Sequence, residues 1–130
     1  MKNEKKKLSD AELEIMMEVW EAGEPVTSNY ILERLKGKRE WALSTLMTVL
    51  SRLAGKGYLN CDRSTRTNYY SALVSEGEYK ASEGKGILER LYGNSVTNLV
   101  VNLCDEKSIS EEELLKLRHF LDTYQGDQDE

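Results

Sequence analysis

Residues 41–59 read WALSTLMTVLSRLAGKGYL and carry the strongest fold signal in the 130-residue chain. Four apolar residues have the i, i+3, i+4, i+7 spacing of one helical face: Leu46, Val49, Leu50 and Leu53. The opposite face has small hydroxyls, one cation and no carboxylate: Ser44, Thr48, Ser51 and Arg52, with Thr45 on its flank. The pair Lys56-Gly57 ends the predicted helix, because glycine readily adopts the left-handed cap. We predict a helix over residues 41–56 that packs on a core and can enter a DNA major groove, with an ordinary amphipathic surface helix as the alternative.

Two short β-strands are predicted directly after this helix. Residues 58–63 (YLNCDR) and 67–73 (TNYYSAL) are rich in Tyr, Thr and Leu, and the three polar residues between them are enough for a hairpin. The hairpin places Arg63 and Arg66 at its tip. A helix-turn-helix followed by such a hairpin is the winged-helix arrangement, in which the second helix of the motif reads bases and the wing contacts the backbone. The strands therefore favour the DNA-binding interpretation of the preceding helix.

The chain has 130 residues, which is enough for one domain with a modest hydrophobic core and an additional segment. The sequence has no apolar run near about 18 residues, and no apolar segment follows its N-terminal lysines. We therefore expect neither a membrane span nor a secretory signal, and a cytoplasmic location. Cys61, Cys104 and His119 have no metal-ligand spacing, so we expect no metal and no other cofactor. The cysteines are expected to pack as small hydrophobes, with a redox role as the alternative.

The net charge of −5 is unevenly distributed along the chain. Residues 34–66 carry eight cations against two acidic residues, which gives a local charge of +6. Residues 83–130 carry five basic and eleven acidic side chains, which gives −6. Because salt screens fields beyond about 10 Å, the local charge decides which surface meets phosphate. The basic third coincides with the predicted helix and wing.

Two helices are predicted before residue 41. The first begins at Ser9, which forms a capping box with Glu12, and its expected inward stripe is Leu13, Met16, Met17 and Trp20. The second covers residues 30–35 with Thr27 as its N-cap, so Ser28 lies where a helix N-terminus can bind a phosphate. Trp41 is expected to fill the angle between the helices. Residues 1–7 are expected to form a disordered basic tail.

The region beyond the wing is predicted to form three short amphipathic helices. A capping box at Ser75 opens the first, Gly84 and Gly86 are interpreted as a hinge within it, and Ser110 opens the last. The apolar residues expected in an interface are Leu88, Leu91, Val96, Leu99, Val100, Leu103, Leu114, Leu117 and Leu121. About 40 residues are too few to bury these stripes alone, and a second copy of the chain would cover them. The alternative is that this half folds back on its own winged domain.

These motifs resemble the penicillinase and methicillin-resistance repressors, the BlaI/MecI family. The resemblance rests on LSDAELEIMMEVW, on W-x-x-S-T-x-x-T-x-x-x-R-L-x-x-K-G-Y-L, on NYYSALVSEGEY and on NLVVNLCDEKSISEEELLKLR, in that order. It implies a dimeric winged-helix repressor of a palindromic operator. It also implies helix contacts to DNA from Ser44, Thr45, Met47, Thr48 and Arg52. Met47 departs from a family position that looks basic, and a methionine there could contact a thymine methyl.

The resemblance further implies a way in which the repressor is released from its operator. In the antibiotic-resistance branch a membrane sensor metalloprotease leads to a cut between Asn and Phe, and the matching bond here is Asn102–Leu103. Leucine replaces the phenylalanine, so dimer packing alone is the alternative role of this segment. Nothing in residues 105–130 resembles the Cys-rich metal site of the copper-responsive branch.

The sequence as a whole predicts a mainly α fold with a small β-hairpin wing. Residues 8–74 form a winged helix-turn-helix DNA-binding domain, residues 75–124 a helical dimerisation region and residues 125–130 an acidic tail. The predicted DNA-binding residues are Ser28, Trp41, Ser44, Thr45, Met47, Thr48, Arg52, Arg63 and Arg66. The predicted function is a homodimeric transcriptional repressor that binds a double-stranded operator. A winged-helix module for protein–protein contact is the alternative, and no nucleophile–base or carboxylate pair indicates an enzyme.

Overall fold

The computed structural model describes residues 7–125 and confirms the winged-helix fold. In chain order its elements are α1 (Asp10–Ala22), α2 (Ser28–Leu35), α3 (Leu43–Gly55), β1 (Leu59–Asp62), β2 (Tyr69–Ala72), α4 (Glu76–Tyr92), α5 (Val96–Asp105) and α6 (Glu111–Thr123). The chain divides into two compact units, of which one ends at Ala81 and the other begins at Ser82. The tails were predicted at residues 1–7 and 125–130, and all of their residues except Lys7 and Gln125 lie outside the described residues.

The first helix, α1, begins with the predicted capping box. The Ser9 hydroxyl accepts a hydrogen bond from the Glu12 N–H at 3.2 Å, and the Glu12 carboxylate accepts from the Ser9 N–H at 2.9 Å. The predicted inward stripe is wrong in one respect, because Met17 is exposed. The buried stripe has the same spacing but begins one residue earlier, at Glu12, Ile15, Met16 and Val19. A charged residue can begin it because Lys56 forms an ion pair with Glu12.

The third helix, α3, packs its predicted apolar face into the core. Leu46, Leu50 and Leu53 are fully buried, together with Ile31 and Leu35 of α2. The predicted start of this helix at Trp41 is wrong, since Ala42 has the extended backbone of an N-cap and Trp41 precedes it as a half-buried loop residue. The helix ends as predicted, with Lys56 as C-cap and Gly57 at φ +89°.

The two strands form an antiparallel hairpin, with Leu59 opposite Ala72 and Asp62 opposite Tyr69. The loop before α2 anchors this hairpin, because the backbones of Val26 and Tyr70 exchange hydrogen bonds of 2.9 and 2.7 Å. Tyr70 is buried, while residues 63–67 at the tip are exposed. The base of the wing is therefore fixed to the helical core, and its tip extends into solvent.

The start of α4 belongs to the winged unit. Tyr79 is buried, with its ring 5.8 Å from that of Trp20 and 5.9 Å from that of Tyr58. The Trp20 indole donates to the Val74 carbonyl at 2.8 Å. The boundary between the units therefore lies inside α4, seven residues beyond the expected division at residue 74. The helix runs unbroken through Gly84, so the hinge there stays a prediction.

The second unit contains the rest of α4 together with α5 and α6. Ser95 and Ser110 cap α5 and α6, each accepting a hydrogen bond from a backbone N–H of the first turn. Among residues 82–125, no side chain is fully buried. Of the apolar residues expected in an interface, the half-buried ones are Leu88, Leu99, Val100, Leu103, Leu114 and Leu117, and the exposed ones are Leu91, Val96 and Leu121. Across residues 7–125, no helix combines the length and apolarity needed to cross a membrane.

Candidate nucleic-acid interface

The outer face of α3 is polar and exposed. Its exposed side chains are Ser44, Thr45, Thr48, Ser51 and Arg52. No side chain caps the N-terminus of this helix, and its first turn contains no acidic residue. No carboxylate in the first turn neutralises the positive end of the helix dipole, and this favours binding of an anion there. The face offers hydrogen-bonding groups for base edges, and Arg52 adds a cation for the backbone.

Thr48 has a defined hydrogen-bonding polarity. Its hydroxyl donates to the Ser44 carbonyl at 3.1 Å, which occupies the single donor of the side chain. The oxygen keeps lone pairs that can accept hydrogen bonds, and the exposed side chain also carries a methyl group. Thr48 can therefore accept from an adenine or cytosine amino group, or contact a thymine methyl, without breaking this internal bond.

Three predicted contact residues are less exposed than the hydroxyls of α3. Met47 is half-buried and packs against the core. Trp41 is half-buried, with the Arg39 guanidinium 5.6 Å from its ring centroid. Ser28 is half-buried at the first position of α2, directly after Thr27, whose hydroxyl accepts from the Tyr30 N–H. These three side chains are therefore less accessible to a ligand than the exposed hydroxyls of α3.

The wing tip presents two exposed arginines, Arg63 and Arg66. The neighbouring carboxylate of Asp62 accepts a hydrogen bond from the Ser64 N–H at 2.9 Å. Hydrogen bonds from the side chain and then the backbone of Ser64 lower the pKa of Asp62. The Thr65 hydroxyl donates to the Thr67 carbonyl at 2.8 Å. Local bonds therefore shape the loop, and neither arginine forms an ion pair with a described carboxylate.

Five of the eight cations of residues 34–66 form ion pairs in the structure, so fewer of them are available to bind phosphate than the sequence indicates. The pairs are Arg34–Glu18, Lys36–Glu33, Lys38–Glu18, Arg39–Glu14 and Lys56–Glu12. Of these eight cations, the three that form no ion pair with a described carboxylate are Arg52, Arg63 and Arg66. Sequence reasoning missed this division, since the glutamates of α1 lie 16 to 44 residues away from their partners. The cations that stay available are those of α3 and the wing.

The pair between Glu12 and Lys56 is the most buried of these. The carboxylate and ammonium are 2.6 Å apart, and the side chains are 2% and 19% exposed. Burial opposes ionisation of Glu12, but the hydrogen bonds from Lys56 and Ser9 outweigh it and lower the pKa of this carboxyl. Lys56 also donates to the Lys7 carbonyl at 3.2 Å. The pair therefore joins the start of α1 to the corner between α3 and the wing.

The predicted cleavage bond lies inside α5. Asn102 is exposed, and its side-chain carbonyl accepts a hydrogen bond of 3.0 Å from the Tyr92 hydroxyl. Leu103 is half-buried. A protease would need local opening of this helix to reach the bond. Elsewhere, Cys61 and Cys104 are free and half-buried, and no cluster of three possible metal ligands occurs among the described residues.

Comparison with known proteins confirms the resemblance. The family model for the penicillinase repressor matches residues 8–123. The methicillin resistance regulatory protein MecI of Mammaliicoccus sciuri is 28% identical over 121 residues, which are 93% of this chain and 98% of that protein. The penicillinase repressor of Bacillus licheniformis is 29% identical over 119 residues, or 92% of each chain.

Two solved structures resemble the winged unit. The solution structure of the DNA-binding domain of the repressor BlaI has a TM-score of 0.51 and 31% identity, and the match covers 60% of this chain and 94% of that one. The solution structure of monomeric Bacillus licheniformis BlaI with the blaP half-operator has a TM-score of 0.50 and 32% identity, over 58% and 92% of the two chains. Since the family model spans nearly the whole sequence, the chain belongs to the penicillinase repressor family.

Proposed function

We propose that this protein is a transcriptional repressor that binds a two-fold symmetric DNA operator as a homodimer. The observation that carries this proposal is the division of charge in the winged unit. Among the arginines of residues 7–81, Arg34 and Arg39 form ion pairs, whereas Arg52, Arg63 and Arg66, on α3 and the wing, form none with a described carboxylate. One relative is a penicillinase repressor, another is a methicillin resistance regulatory protein, and one of the similar structures contains a half-operator. A module that binds only proteins would not need cations concentrated on these two elements.

In this proposal α3 enters the major groove and the wing follows the backbone. Ser44, Thr45 and Thr48 contact base edges, and Arg52 contacts a phosphate. Met47 supplies an apolar contact for a thymine methyl from the margin of the face. Trp41 and Ser28 flank the phosphates beside the groove, and Arg63 and Arg66 contact the backbone from the wing tip.

The second unit supplies the dimer in this proposal. Its exposed apolar side chains include Leu91, Val96, Val101, Leu115, Phe120 and Leu121. Apolar residues at this density need a cover, and a second copy of the chain provides one with the two-fold symmetry that a palindromic operator requires. The residues of the predicted interface listed above remain its proposed members.

Release of the repressor from its operator would depend on the same dimer surface of the second unit. A cut at Asn102–Leu103, under the control of a membrane sensor metalloprotease, would separate α6 and the last residues of α5 from the rest of the chain. The remaining chain would lose part of its dimer surface, and linkage between the two half-sites would then be lost. We place the protein in the cytoplasm, where operator DNA and the inner side of a membrane sensor are both accessible.

Selection of duplexes from a random library by the full chain tests the proposal. We expect a two-fold symmetric consensus whose half-sites are separated by about one helical turn or a multiple of it. Binding to the selected duplex should weaken steeply with salt, because phosphate contacts release counterions. Recovery of unrelated sequences, or binding that ignores salt, would favour the protein-interaction alternative.

A further inference from the structure

The acidic face of α1 holds cations of the helix-turn-helix. Glu18 accepts from Arg34 at 2.9 Å and from Lys38 at 3.3 Å, and Glu21 lies 3.4 Å from the same Arg34. Glu14 holds Arg39. Glu14, Glu18 and Glu21 follow the i, i+4, i+7 spacing, so they share one face of the helix. This face therefore neutralises the turn between α2 and α3 but not the outer face of α3.

Of the three cations that α1 holds here, Arg34, Lys38 and Arg39, Arg39 is the nearest in sequence to α3. It lies four residues before Leu43, the first residue of α3. Its Nε donates to one Glu14 oxygen at 2.5 Å and its terminal nitrogen donates to the other at 3.4 Å. Its guanidinium also lies over the Trp41 ring. The two hydrogen bonds and the ring hold the guanidinium in place.

The pair of Arg39 with Glu14 is accessible to a competing anion. The side chains are 31% and 36% exposed, unlike the buried carboxylates of Glu12 and Glu18. A guanidinium binds phosphate with the same fork of donors that it offers to a carboxylate. If α3 enters a major groove, the residues just before it lie beside the DNA backbone. Glu14 and a DNA phosphate would then compete for one guanidinium.

We propose that Glu14 limits the sequence-independent affinity of this protein for DNA by retaining Arg39. This inference rests on the proposed function. Non-specific affinity grows with the number of phosphates neutralised, and each available cation adds to it on every duplex in the cell. A carboxylate that retains Arg39 removes one such contact per subunit and leaves the outer face of α3 unchanged. Glu14 is thus an affinity-limiting residue that acts through Arg39 and does not itself touch DNA.

The test measures binding of the full chain to a random-sequence duplex by fluorescence anisotropy over a range of salt. For Glu14→Gln we expect an affinity gain of about tenfold at roughly 50 mM salt, falling to about threefold at roughly 200 mM, for one added phosphate contact. The slope of log affinity against log salt should steepen by about 0.9 per contact. Glu24→Gln is the matched control. It removes the same charge from an exposed residue that forms no ion pair with a described cation.

A double-mutant cycle shows whether the gain depends on Arg39. In an Arg39→Gln background, Glu14→Gln should change affinity no more than Glu24→Gln does. Arg39→Gln alone should leave the salt slope of the wild-type chain nearly unchanged, whereas Arg66→Gln should reduce it by about 0.9 per contact. This comparison needs no Glu14 variant, so it stays decisive if Glu14→Gln folds poorly.

Three results would overturn the inference. The first is an affinity gain for Glu14→Gln no larger than that for Glu24→Gln, and the second is a Glu14→Gln gain that persists in the Arg39→Gln background. The third is a reduction of the salt slope by Arg39→Gln as large as that by Arg66→Gln. Each would show that Glu14 does not restrain Arg39. In those cases tight operator binding by the wild-type chain would leave the proposed function intact. A wild-type chain that binds no duplex at any salt would overturn both.

Discussion

Replacing Lys56 with methionine tests the buried ion pair that joins α1 to the corner of α3 and the wing. The change keeps most of the aliphatic stem and removes the ammonium that lies 2.6 Å from Glu12. A buried charge that loses its partner costs about 3–5 kcal/mol of stability. Lys56 is 19% exposed and Ser9 keeps its bonds to Glu12, so we expect about 3 kcal/mol, at the lower end of that range.

The loss should depend on pH in a defined direction. In the wild-type chain the pKa of Glu12 is lowered on folding, so its stabilisation is present above the unfolded value of 4.5 and is lost as pH falls through the folded pKa. In Lys56→Met, burial of Glu12 without the ammonium disfavours its charged form, and protonation relieves that penalty. The difference in stability between the two chains should therefore shrink as the pH falls through the folded pKa of Glu12, first in the variant and then, at lower pH, in the wild-type chain.

Urea unfolding followed by circular dichroism at neutral and acidic pH measures both effects. Lys36→Met is the matched control, because its partner Glu33 and Lys36 itself are 72% and 61% exposed. Such surface pairs contribute about 0–1 kcal/mol, so the control should change stability little. A Lys56→Met chain as stable as the control at neutral pH, or a loss that stays constant with pH, would refute the reasoning.

Three further predictions concern function. Thr48→Ala should weaken operator binding by about 1–3 kcal/mol and leave binding to random duplexes nearly unchanged, and equal losses on both duplexes would show that Thr48 does not read bases. Arg63→Ala and Arg66→Ala should each lower the salt slope by about 0.9 per contact on every sequence, and an unchanged slope in titrations would place the wing away from DNA. A chain that ends at Asn102 should keep a folded winged unit but sediment as a monomer where the full chain is a dimer. A truncated dimer that still binds the full operator would contradict proteolytic release.

The features that the sequence predicted well are local ones. The capping box at Ser9, the apolar face of α3 and the end of this helix at Gly57 all depend on residues within one or two helical turns. The hairpin was equally readable, since its strands are separated by a short polar link. Local chemistry of this kind leaves a regular spacing in the sequence.

The features that it missed depend on contacts between distant residues. Glu12 was predicted only as the capping-box partner of Ser9, and its burial beside Lys56, 44 residues away, leaves no local signal. The predicted inward stripe of α1 therefore did not include it. The eight cations of residues 34–66 looked equivalent until α1 was seen to hold four of them and α2 one. Periodicity likewise cannot show that Tyr79 joins the start of α4 to the winged unit.

Amide chemical shifts of the full chain, recorded with and without the selected operator duplex, test the central claim most directly. The account predicts that the largest changes occur at Ser44, Thr45, Thr48 and Arg52 on α3 and at residues 63–66 of the wing. Residues of α6 should change little, because their surface is assigned to the dimer. Changes concentrated on α6, or none on α3 and the wing, would contradict the claim that the outer face of α3 binds DNA together with Arg52, Arg63 and Arg66.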